Sequence, residues 1–279
     1  MTEPQLVIIP EWKDFSWLYH GFSTRLGGVS DIYGGRSLNL GWTKEDEAEA
    51  VRENRRLLLK AVTGNLFPSI RLVTARQVHS NTIHRVSFSD AQAGLLETVE
   101  GKAVLEGDGL ITDDPDILLA AGTADCVPVL LVDVERRAVG AFHAGWRGTV
   151  GRIVELGVER MHSEFGTQPD HLLAAIGPSI GVCCYTVGED VRNQFREQFA
   201  YADELFRPMP PEEGQTKFRI DLWKANRRQL LDAGLQSAKI KTVCECTACT
   251  TDTSGEQRYF SHRAQGGRTG RMLNVIGIR

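Results

Sequence analysis

Apolar positions along the chain fall into short runs separated by polar or glycine-rich breaks. Leu6 to Ile9, Leu18 to Thr24, Ile70 to Thr74, Thr82 to Phe88, Leu172 to Ile176, Ile240 to Val243, Tyr259 to Arg263 and Met272 to Ile278 read as strands. Val129 to Val134 and Ala138 to Phe142 are apolar almost throughout, and only Glu135-Arg136-Arg137 lies between them. That spacing predicts two buried strands joined as an antiparallel hairpin, with Cys126 opening the first and His143 closing the second. A helical period replaces the strand pattern elsewhere. Thr43 is positioned to cap a helix to about Val62, with Val51, Leu58 and Val62 on one face and acidic residues ahead of basic ones. Asn54-Arg55 on that helix read as solvated. Thr149 is positioned to cap a helix from Val150 to Phe165, whose free amides would favour an anion beside Arg147. Asp190 to Phe199 and a helix capped by Asp221 and ending near Leu231 complete the set.

Strands alternating with helices over short loops indicate an α/β (α+β) class, and the hairpin makes the sheet mixed. The expectation is a single domain over residues 1–279, one mixed sheet flanked by helices. Residues 207–217, with Pro208, Pro210 and Pro211, read as a surface loop because the alternation resumes beyond them.

At 279 residues the chain is long enough to bury a substantial core. Its net charge of −4 argues against a nucleic-acid surface. No apolar run approaches the roughly 20 residues that cross a bilayer. Met1-Thr2-Glu3-Pro4-Gln5 lacks the basic start of a signal peptide, which points to the cytoplasm. The six cysteines are then read as thiols or metal ligands before disulfides.

The hairpin brings Cys126 and His143 to one edge of the sheet. Gln77 and His79, one face of an extended segment, supply a second imidazole. One Cys and two His are what a catalytic zinc centre uses, with a fourth position left for a reactant. Core packing of the same residue types is the other reading of His79, Cys126 and His143. Arg147, flanked by glycines, reads as a substrate contact or a strand-end ion pair. The loop of Arg25, Arg36 and Asn39 reads as flexible surface or as a set of donors. Asp108, between two glycines, caps its turn or reaches the site. Asp125 neighbours Cys126 but is expected to face the other side of its strand. Cys244, Cys246 and Cys249 have structural-metal spacing but no evident fourth ligand. Cys183 and Cys184 read as buried thiols, since adjacent cysteines rarely ligate one metal.

Gln77-Val78-His79, Gly107-Asp108-Gly109, Ala124-Asp125-Cys126-Val127-Pro128, His143-Ala144-Gly145-Trp146-Arg147-Gly148-Thr149, Ile176-Gly177-Pro178-Ser179-Ile180 and Phe260-Ser261-His262-Arg263 together resemble the YfiH-like, laccase-domain family. The resemblance runs from about Gly21 onward. It implies one zinc held by His79, Cys126 and His143. It also implies a purine nucleoside phosphorylase acting on adenosine, inosine, guanosine and methylthioadenosine, with adenosine deaminase activity. Purine nucleosides and phosphate would be its partners, without nucleic acid or membrane; a homodimer is left open. Arg147 would hold phosphate, Gln77 and Asn39 would bond sugar or base, and Asp125 is the nearest carboxylate for moving protons. Some members are linked to peptidoglycan-precursor editing, which a Cys126–His143 thiol hydrolase would suit. Others carry an older label of copper polyphenol oxidase. Copper binds nitrogen and sulfur ligands more tightly than zinc and suits the same three residues. A multicopper oxidase, however, needs clustered histidines, and the seven here are scattered without a His-x-His pair. Gly41-Trp42-Thr43-Lys44-Glu45-Asp46 departs from the family's usual Gly-x-His-x-Gly-Asp-type segment, which puts substrate contacts there in question and not the metal.

Overall fold

The computed structural model describes residues 3–64, 69–211 and 216–279. Two sheets stack at its centre. The six-stranded sheet runs Ile240–Thr242, Leu172–Ile176, Val127–Asp133, Ala138–Ala144, Gly109–Thr112 and Ile83–Arg85. The five-stranded sheet runs Leu6–Val7, Leu18–Ser23, Met272–Ile278, Ile117–Thr123 and Arg71–Thr74. Both mix parallel and antiparallel pairs. A small antiparallel sheet joins Thr186–Gly188, Lys217–Ile220 and Phe206–Pro208. The fold is therefore mixed α/β as expected, with three sheets where one was anticipated.

The long apolar runs explain the stacking. Leu130, Val132, Val139 and Ala141 pack toward Phe22, Leu119 and Ile276 of the five-stranded sheet. Val129, Leu131 and Phe142 point the other way, onto Val154, Val158 and Met161 of the helix Ile153–Phe165 and Leu230 of the helix Leu222–Asp232. A strand with partners on both faces has no polar side to alternate with. The outer face of the five-stranded sheet is closed by Leu58 of the helix Ala48–Thr63, over Leu118, Ala120 and Val275.

The hairpin pairs Val127 with Ala144 and Asp133 with Ala138. Asp133 Oδ1 accepts from the amides of Glu135 and Arg136, at 2.9 and 3.0 Å, and shapes the connection. Register and turn together carry Cys126 and the 143–145 segment to one sheet edge.

Several local expectations differ from the structure. The first helix starts at Ala48, not after Thr43, because the Thr43 hydroxyl is engaged by Tyr33. Asn54 is fully buried: it accepts from the Val29 amide and donates to Ser30 Oγ and to the Asn39 carbonyl. Arg55 is half-buried beside it and donates to the Leu40 carbonyl, so it is held against the protein and not free in solvent. The glycine-rich segment before the helix is a packed strand, Leu26–Ser30, and not a mobile loop. A Cβ at Gly28 would stand 2.3 Å from the Ser37 carbonyl oxygen, so only glycine permits that approach. Residues 146–165 form two helices, Trp146–Val150 and Ile153–Phe165, because Arg152 takes φ 59° between them. Thr149 therefore lies inside a helical turn, and the long helix starts away from Arg147. Tyr259–Arg263 forms no strand; Tyr259 and Phe260 are buried as a loop. Residues 207–217 divide between strand ends and the intervening segment, of which 212–215 lie outside the described residues.

Replacing Asn54 with alanine leaves the Val29 amide, the Ser30 hydroxyl and the Asn39 carbonyl short of a buried partner. The expected loss is roughly 2–3 kcal/mol, read as a lower urea midpoint at unchanged m-value; an unaltered midpoint would mean the network contributes nothing.

Candidate metal centre

His79, Cys126 and His143 meet at the open end of the hairpin. One donor atom from each lies within 4.8 Å of the other two. The Cys126 Sγ is 3.9 Å from His79 Nε2, and the two imidazole rings stand edge to face at 5.0 Å between centroids. His143 is buried, Cys126 half-buried and His79 exposed, so the triangle has a closed side and an accessible one.

Each member is placed by a different local device. His143 is fixed by strand pairing with Pro128. Cys126 lies one residue before its strand, after Asp125 at φ 92°, so the alternation rule that would turn Asp125 away does not apply. His79 takes φ 61° in the loop after the Arg71–Thr74 strand. Gly145, opposite Cys126 across the hairpin, leaves the space between them open. A Cβ there would stand 3.1 Å from the Cys126 sulfur and 3.1 Å from the His79 ring.

Asp108 organises this corner and was only half legible in the sequence. It is buried, and its Oδ1 accepts from His143 Nδ1 at 2.8 Å. The same oxygen accepts from the His79 amide at 3.0 Å. Its Oδ2 accepts from the amides of Val78 and Ser80 and from the Ser80 hydroxyl. The carboxylate thus fixes the His143 ring and the loop that carries His79. With Nδ1 bonded, His143 presents Nε2 toward the thiol, the arrangement that metal-ligating histidines use.

Burial opposes every charge here, and the neighbours overcome it. Burial would raise the Asp108 carboxyl, yet the bonds from His143 and Ser80 pull it down to about 2. Burial would raise the Cys126 thiol, but His143 and His79 bring it down to about 6. Burial would lower His143, while the Cys126 thiolate and Asp108 lift it to about 9. Without a metal, the corner is a thiolate–imidazolium pair. A soft thiolate with two imidazoles, and room kept by a glycine, fits a single transition-metal ion.

A cavity of about 500 Å³ opens over the triangle, lined also by Trp146, Arg147, Tyr185, His262, Arg263 and Arg271. Arg147 is exposed, and its guanidinium lies 4.3 Å from the Trp146 ring centre. Burial, then the neighbouring Cys126, pushes the Tyr185 phenol up to about 12, so it stays protonated. Arg263 and Arg271 turn part of their guanidinium groups to carbonyls of Thr186, Thr269 and Gly270.

Among the remaining expected contacts, Gln77 lines the cavity with its amide committed to both the N–H and the C=O of Gly122. Asp125 lines it too, with Oδ1 accepting from the Thr247 hydroxyl and Oδ2 from the Arg263 amide. Asn39 is absent from the lining. It is buried, bonding Asp46, Gly41 and the Arg271 amide, so it steadies a wall instead of meeting a ligand. Tyr185, Arg263 and Arg271 were not singled out as site residues. The Phe260-Ser261-His262-Arg263 motif carries Arg263 and its neighbour His262, whereas no motif marks Tyr185 or Arg271.

A mixed α/β protein with a thiolate–diimidazole corner under a basic cavity is the class that this geometry defines. The family described as multi-copper polyphenol oxidoreductase laccase matches residues 19–279, and the chain belongs to it. It is 38% identical over 273 residues to the purine nucleoside phosphorylase YlmD of Geobacillus stearothermophilus, covering 94% of each. A protein named adenosine deaminase RL5, from an unknown prokaryotic organism, is 37% identical over 91% of this chain and 92% of its own. The crystal structure of a Bacillus licheniformis hypothetical protein YfiH superposes with a TM-score of 0.85 at 34% identity, over 99% of this chain and 97% of that one. No helix among the described residues is long and apolar enough to cross a membrane.

In metal-free protein, alkylation of Cys126 should titrate with an apparent pKa near 6. The fast reaction is lost as pH falls through that value, because the thiolate is what reacts. Asp108→Asn removes the charge that holds His143 protonated, and so should move the profile upward. Peptide mapping by mass spectrometry isolates Cys126 from the exposed thiols; an ordinary thiol profile near pH 8.5 would contradict the assignment.

Proposed function

We propose that this chain is a metal-dependent purine nucleoside phosphorylase that also deaminates adenosine, with zinc on His79, Cys126 and His143. The supporting observation is the three-donor triangle, backed by Asp108, at the floor of a cavity bearing three arginines. The names of the relatives point the same way. Copper suits the same donors, and metal analysis separates the two.

The chain's own groups divide the work. A bound zinc ion would act as a Lewis acid and lower the pKa of water in its open position. Asp108 keeps the His143 ring oriented and basic toward the ion. Arg147 meets phosphate, since its guanidinium carries no competing carboxylate in the described contacts and rests on Trp146. The other two arginines add positive potential to the same cavity. Tyr185, as a neutral phenol, offers a hydroxyl to base or sugar. Asp125 serves as a strut, because both of its oxygens already accept hydrogen bonds.

A second reading has its own observation. The Cys126 thiolate, the His143 imidazolium and Asp108 form a nucleophile, proton donor and orienting carboxylate in sequence, which suits a thiol hydrolase acting on an amide. The two readings separate under chelation. A zinc phosphorylase loses turnover and regains it with metal, whereas a thiol hydrolase keeps its activity.

Cys126→Ala should remove both the metal of this corner and inosine phosphorolysis, measured as phosphate-dependent release of hypoxanthine; retained turnover would end the first reading. Arg147→Ala should raise the KM for phosphate roughly tenfold or more, since a charge-assisted bond contributes about 1.5–3 kcal/mol, with a smaller change for the nucleoside. Equal changes in both constants would remove Arg147 from the phosphate site.

A further inference from the structure

Cys183, Cys184, Cys246 and Cys249 have no part in the chemistry above, yet the fold brings all four sulfurs within 4.8 Å of one another. By sequence Cys183 and Cys184 read as buried thiols, whereas Cys183 is exposed and Cys184 half-buried, and the 244–249 cluster lacks a fourth ligand of its own. The structure resolves both points at once. Cys244 stands apart, its thiol directed at the Thr242 carbonyl. Cys183 and Cys184 take its place beside Cys246 and Cys249.

We propose that these four thiolates form a second, structural metal site that takes one zinc ion. The distances carry the assignment. Four sulfurs about 2.3 Å from a central zinc stand about 3.8 Å apart at the corners of a tetrahedron. Cys183 and Cys249 are 3.7 Å apart. A disulfide needs about 2.05 Å, and all six cysteines are unpaired. The four thiolates of a polynuclear iron–sulfur cluster are spread over two or more irons and need a wider cage than a single ion does. Four sulfurs converging at single-ion spacing are a soft tetrahedral set that suits zinc.

Two further features fit a metal and not a chance cluster. The Gly181 amide donates to the Cys246 sulfur at 3.2 Å, as backbone amides do to metal-bound thiolates. A Cβ at Gly181 would stand 3.2 Å from the Cys183 sulfur and 3.0 Å from Trp223, so glycine is what lets the loop close over the sulfurs. Binding releases the four thiol protons and involves no electron transfer.

The site would clamp one wall of the cavity. Its two loops are joined by backbone hydrogen bonds, the Ser179 amide donating to the Glu245 carbonyl and the Thr247 amide to the Ser179 carbonyl. Ile180 and Tyr185, on the first loop, line the cavity; Thr247, on the second, holds Asp125. The ion would fix these groups without touching substrate.

Metal analysis of the purified chain tests this apart from any activity. Wild type should carry two zinc equivalents, Cys126→Ala one, and Cys246→Ser one. Cobalt(II) added to Cys126→Ala after its zinc is removed should give the strong visible bands of a tetrahedral tetrathiolate, a readout that stands if Cys246→Ser fails to fold. A Cys126→Ala protein that binds no metal, gives no such spectrum, and shows the four cysteines as free thiols or disulfides by mass spectrometry overturns the proposal. Loss of the corner metal with retention of this one would count against the function proposed above only if turnover survived.

Discussion

The buried carboxylate of Asp108 sets the geometry on which the rest of the site depends. A carboxylate removed from water needs its oxygens satisfied by strong donors. Here those donors are the His143 ring, the His79 amide and the amide and hydroxyl of Ser80. Two chain segments with no local reason to meet are thereby held to one anion. The orientation of one imidazole and the backbone angle behind the other follow from the same group. The positive φ at His79 is sustained because three consecutive amides, those of residues 78, 79 and 80, converge on that carboxylate.

The hairpin supplies the rigidity that this arrangement requires. Its strands are covered by a second sheet on one face and by helices on the other, so the edge carrying Cys126 and His143 has little freedom. The cavity above it is built differently. Its walls come from loops around residues 122–126, 180–185 and 262–271, each tied back by bonds to backbone groups. A floor of strands with walls built from loops is the usual division between scaffold and recognition.

The donor sets bear on the family's description as multi-copper. Of the seven histidines, only His79 and His143 share a donor cluster among the described residues. His84 is engaged by the Glu106 carbonyl, His20 by the Ile9 backbone and His162 by the Thr167 carbonyl. Among the described residues the two clusters are one of two imidazoles with one thiol and one of four thiols. Each suits a single ion, and neither provides the histidine array that adjoining coppers require.

Much of the fold was readable without coordinates. The apolar runs at 129–134 and 138–142, interrupted by a short charged turn, determined a buried hairpin, observed as Val127–Asp133 and Ala138–Ala144, and that hairpin brings Cys126 and His143 together. Short-range order of this kind is written in pattern and spacing. What lay beyond it depended on long-range partners. Asn54 looks like any polar helix residue until the Leu26–Ser30 strand covers it. Asn39 looks like a ligand contact until Asp46 and Arg271 consume its amide. The adjacent pair Cys183–Cys184 gains its meaning only because residues some sixty positions later fold against it. Sequence alone thus determined the central hairpin, most of the longer elements and which side chains reach one sheet edge. The tertiary structure decided which polar groups are spent on one another and which remain for a ligand, because that depends on partners far along the chain.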